Sequence, residues 1–269
     1  MIVFNEWKVE TGKFPNGETW VNVRDQLTFR NLNHVQLYFE NNDDLINLMF
    51  FKRFLDENGQ KAQLNVMYFP YSRMDRRNDH YAFSLKYISE FINNLHFVQV
   101  SIMEVHSDVT PALVNNCKTW SFIETYLQSV LKKIDFDPEQ DMLCFPDAGA
   151  VKRYGTKLQQ PFCYGNKERD FKTGEIIKFE LVVACKVRNL LIVDDLCSKG
   201  GTFLALATEA KRVLEKDSKI FLMVGHCERT IFDGELLKEN SPIETVFTSN
   251  SLLQTVEFSN DKLEIISNF

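Results

Sequence analysis

The sequence predicts an α/β protein of two tandem domains, each a mainly parallel sheet flanked by helices. Three observations predict it. Short strand-like apolar runs alternate with segments of helical period, the rhythm of parallel strands joined by right-handed crossovers. That rhythm pauses once, over the polar segment 132–140 with Pro138, and then resumes. The length of 269 residues allows one large domain or two ordinary ones at about 150 residues each.

The elements follow in order. Asn42 is a candidate N-cap, Leu45, Leu48, Met49, Phe51 and Leu55 recur at helical spacing, and Gly59 stands where that helix ends. A strand over 64–69 comes next. Phe83, Tyr87, Ile88, Phe91, Ile92 and Leu95 mark a second helix, and Val98, Val100 and Ile102 alternate with polar residues up to Glu104. Trp120, Ile123, Tyr126, Leu127, Val130 and Leu131 mark a third helix. With the boundary set between 125 and 140, the domains are 1–130 and 131–269. The second opens with a strand over 142–145, a helix after Gly149, a short strand near Phe162, a charged stretch over 165–175 and an apolar stretch to Ala184. A strand over 190–193, a helix from Gly201 to about Glu215 and a strand over 219–224 follow. A short helix around Glu235, a strand over 246–248 and a last one over 263–266 complete it, the segment 255–269 being a candidate to pack back on the first domain.

Composition sets limits on function. With 44% hydrophobic and 25% charged residues, disorder and low-complexity scaffolds are excluded. A net charge of −6 gives no support for general binding to nucleic acid or anionic membranes, so neither is expected as a partner. The 23 Phe are spread without a repeat and read as core filling. The six Cys, at 117, 144, 163, 185, 197 and 227, form no CxxC pair or zinc spacing and read as isolated, mostly buried thiols. No apolar run approaches 18 residues and the first residues lack a signal-peptide core, so a cytoplasmic protein with reduced thiols is expected.

The segment LLIVDDLCSKGGTF, residues 190–203, carries the most chemistry. Four apolar residues form a buried parallel strand, and Asp194 and Asp195 emerge at its carboxyl end, where open α/β sheets bind ligands. Adjacent carboxylates there are not expected in the core. Ser198 and Lys199 lead to Gly200 and Gly201, which allow close backbone approach, and a helix start near Thr202 presents N–H groups and positive dipole to an anion. Carboxylates suit sugar hydroxyls and the cradle suits a phosphate on the same sugar. No GxxxxGK[ST] loop occurs.

This segment resembles the phosphoribosyl pyrophosphate loop of type I phosphoribosyltransferases and ribose-phosphate pyrophosphokinases. The second family fits better, because four more of its motifs appear in order. FPNGE (14–18) resembles FxDGE, YFPYSRMDRR (68–77) resembles YFxYARQDRK, EVHSD (104–108) resembles the DLHA turn, and FPDAGAVKR (145–153) resembles SPDxGGVxR. The resemblance implies two phosphoribosyltransferase-like, Rossmann-like domains, with ATP groups mainly from the first and the ribose site from the second. It also implies a homo-oligomer, dimer or hexamer, since the family's ATP sites lie near subunit boundaries.

Each match has a physical reading beside the family one. Arg73, Arg76 and Arg77 around Asp75 are either an exposed turn with an internal salt bridge or a triphosphate clamp, Arg binding phosphate oxygens bidentately. The resemblance implies that Phe14 contacts adenine with Glu18 close by, and that Arg73, Asp75 and His106 complete the ATP set. It makes His106 a magnesium-linked residue, and Asp147 the metal-associated Asp, whose hard oxygens suit Mg2+. In GNKERDFKTGE (165–175), where the family has a mobile loop, Lys167 and Arg169 align with its two diphosphate-stabilising cations, although a solvated loop has the same composition.

The reaction implied is attack by the anomeric hydroxyl of a ribose 5-phosphate unit on the β-phosphorus of ATP, releasing AMP. Several departures bear on the acceptor. The family's DDxxDTxGT has Ser198 for its third Asp and Lys199 for the following Thr, which makes the loop more cationic by two charges. Met74 replaces a Gln and Asn16 an Asp, and the chain is shorter than typical members, the shortfall lying after the Asp194 motif. The extra cation fits either a larger acceptor such as ADP-ribose or a tighter grip on one phosphate. A phosphoribosyltransferase and a non-catalytic homologue are the alternatives.

Overall fold

The computed structural model describes residues 1–23, 28–77, 80–169, 176–182, 187–215, 217–253 and 260–267, without the side chains of 166–169, 176–180 and 182. The chain divides into two compact units, Met1–Ser121 and Phe122–Phe269.

The first unit contains β1 (Ile2–Phe4), β2 (Trp7–Val9), β3 (Thr11–Lys13), β4 (Thr19–Val21), β5 (Asn33–Leu37), α1 (Asp43–Glu57) and β6 (Ala62–Val66). It continues with α2 (Ser84–Asn93), β7 (Val100–Met103), α3 (Val109–Leu113) and β8 (Cys117–Trp120). Its main sheet has the order β2-β1-β5-β6-β7-β8, parallel from β5 to β8, with β1 antiparallel to both neighbours; β3 and β4 form a separate hairpin. The helical stripe of α1 buries Leu48, Phe51 and Leu55 completely, and Phe51 meets Phe4 edge-on at 5.2 Å. Gly59, at φ +66°, ends α1: its N–H donates to the Asp56 carbonyl and that of Gln60 to the Leu55 carbonyl, closing two orphan acceptors. Asn42 makes no side-chain cap; its Oδ1 accepts from the Tyr71 hydroxyl, while Asn41 Oδ1 accepts from the Asp43 N–H.

The second unit contains α4 (Phe122–Lys133), β9 (Met142–Phe145), α5 (Ala148–Tyr154), β10 (Phe162–Arg169), β11 (Ile176–Val182) and β12 (Asn189–Cys197). Then come α6 (Gly201–Val213), β13 (Lys219–Cys227), a 3-10 turn (Arg229–Asp233), β14 (Ile243–Ser249) and β15 (Leu263–Ile266). The seven strands run β11-β10-β9-β12-β13-β14-β15, parallel except for the antiparallel β10–β11 pair. Leu190, Ile192, Leu206, Ala210, Ile220 and Leu222 join strands to α6 in one apolar cluster. β15 hydrogen-bonds to β14 within this sheet.

Three expectations change. Residues 165–169 are strand, not loop: beyond the end of β9 they pair with β11 alone, which satisfies the backbone without requiring apolar side chains. The short helix expected around Glu235 is the 3-10 turn just before it. Core filling accounts for Phe4, Phe51, Phe122 and Phe145, which are buried, but Phe14, Phe50 and Phe162 are exposed. Cys144, Cys163, Cys197 and Cys227 are buried free thiols and Cys117 is partly covered, while Cys185 lies outside the described residues.

Candidate active site

The second unit's site is built on β12. Buried from Asn189 to Val193 and flanked by β9 and β13, this strand carries Asp194 and Asp195 toward the carboxyl edge of the sheet. It runs on past Val193, with Asp194 in register with Val224 and Cys197 with Cys227, so both carboxylates lie within the strand. Asp195 is only 4% exposed, contrary to the expectation that neither acid is a core residue. Arg153 of α5 makes that burial tolerable: its Nη1 donates to Asp195 Oδ1 at 2.7 Å and lies 3.4 Å from Asp194 Oδ1. The guanidinium also lies over the Tyr154 ring, 5.5 Å from its centroid. Asp194 Oδ1 accepts from the Asp195 N–H at 2.9 Å. Burial, then repulsion from Asp195, pushes the Asp194 carboxyl well above the usual carboxylate range, with Arg153 pulling the other way. Arg153 was quoted in the motif 145–153 but given no role by sequence reasoning; its position at the motif's end was the available signal.

Past Cys197 the chain forms the cradle. Ser198 is half-buried, Lys199 exposed, and Gly200 turns at φ +82° as the N-cap of α6. A Cβ on Gly200 would lie 2.0 Å from Leu236 Cδ1, so only glycine fits both the left-handed backbone and the contact. No side chain caps α6, which leaves the N–H groups at Gly201, Thr202 and Phe203 directed at the space before the helix. The outer wall is the 3-10 turn. A Cβ on Gly234 would stand 2.2 Å from the Lys199 carbonyl oxygen, Ser198 Oγ is 2.9 Å from Thr230 Oγ1, and the Glu228 N–H donates to the Cys197 carbonyl at 2.8 Å. Nothing in the residue types at 228–236 announced this contact beforehand.

Asp147 follows β9, the neighbour of β12, and its Oδ1 accepts from the Ala150 N–H at 3.0 Å as the N-cap of α5. Lys167 and Arg169 lie on β10, opposite Phe179 and Ile176 of β11; their side chains are outside the described residues.

In the first unit, Phe14 is 54% exposed at the tip of the β3–β4 hairpin. Its N–H donates to the Glu18 carbonyl at 2.8 Å, and Asn16 Nδ2 donates to Glu18 Oε2 at 2.7 Å. Arg73, Arg76 and Arg77 are all exposed on the segment between β6 and α2, where Arg76 Nε lies 3.4 Å from Asp75 Oδ1. The internal ion pair of the exposed-turn reading is present, and the three Arg side chains are exposed. His106 is half-buried between β7 and α3. Beside it, Glu104 is buried at φ +45° and accepts from the Ser121 hydroxyl at 3.2 and 2.8 Å.

Among the described residues, no three His, Cys, Asp or Glu side chains gather as a metal cage. Mg2+ keeps several waters and takes one or two carboxylates together with substrate phosphate oxygens, and Asp147, directly after β9, is a hard donor of that kind. Among the described residues no helix is long and apolar enough to cross a membrane.

No family model matches the sequence. A ribose-phosphate pyrophosphokinase of Saccharolobus solfataricus is 29% identical over 234 residues, covering 82% of this chain and 79% of that protein. Another, of Sulfurisphaera tokodaii, is 27% identical over 260 residues, covering 92% and 85%. Among solved structures, the phosphoribosylpyrophosphate synthetase of Mycobacterium smegmatis matches with a TM-score of 0.77 at 16% identity, over 97% of this chain and 86% of that one, a likeness of fold.

Proposed function

We propose that this chain, a divergent member of the ribose-phosphate pyrophosphokinase family, is a transferase that moves the β,γ-diphosphate of ATP to the anomeric hydroxyl of a ribose 5-phosphate unit. The observation that carries the reading is the pairing, within one segment, of a carboxylate pair held by Arg153 with the uncapped start of α6. In the reaction, the anomeric oxygen forms a bond to the β-phosphorus as the bond to the α-phosphate bridging oxygen breaks, AMP leaves, and the hydroxyl proton passes to solvent or a base. Transfers of this kind need alignment and charge neutralisation more than covalent help.

The residues divide that work. The N–H groups of 201–203 with Thr202 and Lys199 hold the 5-phosphate, and Asp194 and Asp195 take the ribose hydroxyls. Arg153 keeps those two acids in place, since a buried carboxylate pair without a cation takes up a proton. Lys167 and Arg169 meet charge developing on the transferring diphosphate. Phe14, Glu18, Arg73, Asp75 and His106 form the ATP set of the first unit. Mg2+ arriving with the nucleotide would neutralise phosphate charge; Asp147 of the second unit and His106 of the first are separate candidates for holding it.

The finer reading is an acceptor larger than ribose 5-phosphate. Lys199 favours it, because its side chain is exposed at the loop's outer side while the backbone beside it is packed on Gly234 and Leu236. A pyrophosphate-bearing acceptor such as ADP-ribose brings negative charge there. AMP release measured with ATP and each acceptor tests both readings. Release with neither sinks the transferase reading, and release with ribose 5-phosphate alone sinks the larger acceptor.

A further inference from the structure

Ser198 stands where the resemblance has an acid, and its surroundings determine which way its proton points. Thr230 Oγ1, on the 3-10 turn, lies 2.9 Å from Ser198 Oγ and donates to Glu228 Oε2 at 3.3 Å. Glu228 directly follows β13, and its N–H donates to the carbonyl of Cys197, so all three side chains sit on backbone already tied to the loop. A carboxylate only accepts, and a hydroxyl has a single proton. Thr230 therefore donates its hydrogen bond to Glu228 and accepts one from Ser198, which leaves Ser198 Oγ only lone pairs for a further partner.

We infer that Glu228 and Thr230 are positioning residues that make Ser198 an acceptor for a hydroxyl of the acceptor sugar, replacing through a two-hydroxyl relay the carboxylate this loop lacks. The inference rests on the diphosphotransferase reading and refines it. A lone-pair-only hydroxyl suits a donor, which a ribose hydroxyl is and a phosphate dianion oxygen is not. Ser198 thus belongs with Asp194 and Asp195, and the phosphate is left to Lys199, Thr202 and the α6 N–H groups.

The test uses the full chain and the variants T230V, T230S, E228Q and S198D. KM for ribose 5-phosphate and for ATP is measured with kcat, alongside direct titration of ribose 5-phosphate and of inorganic phosphate. T230V is expected to weaken ribose 5-phosphate by about tenfold, one hydrogen bond's worth, whereas E228Q, whose amide oxygen still accepts from Thr230, stays within about threefold, and inorganic phosphate and the KM for ATP stay within about twofold in both. T230S restores the affinity. In the S198D background T230V costs less than about twofold, because the carboxylate then accepts directly. Equal weakening of ribose 5-phosphate and inorganic phosphate overturns the inference, as does an unchanged ribose 5-phosphate affinity in T230V. If the wild-type chain releases no AMP, the transferase reading fails, and the two titrations still decide the relay.

Discussion

Replacing Gly200 with Ala tests the cradle's architecture. Two costs arise at once. The left-handed backbone at φ +82° places a Cβ against the following carbonyl, at about 1–2 kcal/mol. The same Cβ would lie 2.0 Å from Leu236 Cδ1 and 2.4 Å from Cγ, and Leu236 is fully buried, so it cannot swing aside. Making room in a close-packed core costs about 1–3 kcal/mol. G200A is therefore expected to lose about 2–5 kcal/mol out of a typical domain stability of about 5–15 kcal/mol. Gly201 provides the contrast: no atom lies within 4 Å of its would-be Cβ and it is helical, so G201A is expected to hold or raise stability by up to about 1 kcal/mol. The assay is urea unfolding read by far-UV circular dichroism, with hydrogen exchange on peptides from β12 to α6. The three tryptophans, Trp7, Trp20 and Trp120, all lie in the first unit, so their fluorescence follows that unit separately. In the double variant G200A/L236A the losses should be less than additive, since the collision partner is gone. The reasoning is refuted if G200A keeps its second-unit transition within about 0.5 kcal/mol of the wild type, or if G200A and G201A behave alike.

R153M leaves two acids without their shared cation and is expected to cost about 3 kcal/mol, the low end for a buried pair because Arg153 is 19% exposed. Asp194 titrates above its unfolded value, so its contribution to stability falls as pH rises from about 4 through the raised value, and R153M should carry that fall to higher pH in unfolding curves taken across pH. At Asp141 burial alone would raise the carboxyl, but hydrogen bonds from Arg188 and from the N–H groups of Asp137 and Asn189 hold it below the usual range. Its stabilisation is present above the unfolded value and lost as pH falls through the lowered one, so the gap between wild type and D141N should close in acid and stay open at neutral pH. K167M and R169M are expected to lower kcat by about 100-fold or more with little change in acceptor KM; a pure KM effect would assign them to binding instead.

How much of this was legible in the sequence depends on range. Local signals carried well: the apolar run and turn of 142–149, the helical stripe ended by Gly59, and the strand-to-glycine segment at 190–203 each combine periodicity with a residue that the backbone needs. The four strands of residues 2–21 are three residues each, too short to show alternation, and their pairing comes from tertiary contact. The charged residues at 165–169 read as loop because charge is a side-chain property, whereas strand is decided by backbone partners, here β11. Within the site, residue types located Asp194, Asp195 and Ser198 but not what surrounds them. A carboxylate next to a carboxylate reads as solvent-exposed until a cation from 42 residues earlier in the chain is brought to 2.7 Å, which the crossover through α5 and β9 accomplishes. A serine reads as a donor to ligand until a threonine 32 residues later, itself donating to Glu228, accepts its hydrogen bond. In both cases the identity of the group was written locally and its chemical behaviour was not, because charge state and hydrogen-bond direction belong to pairs of residues that only the fold brings together.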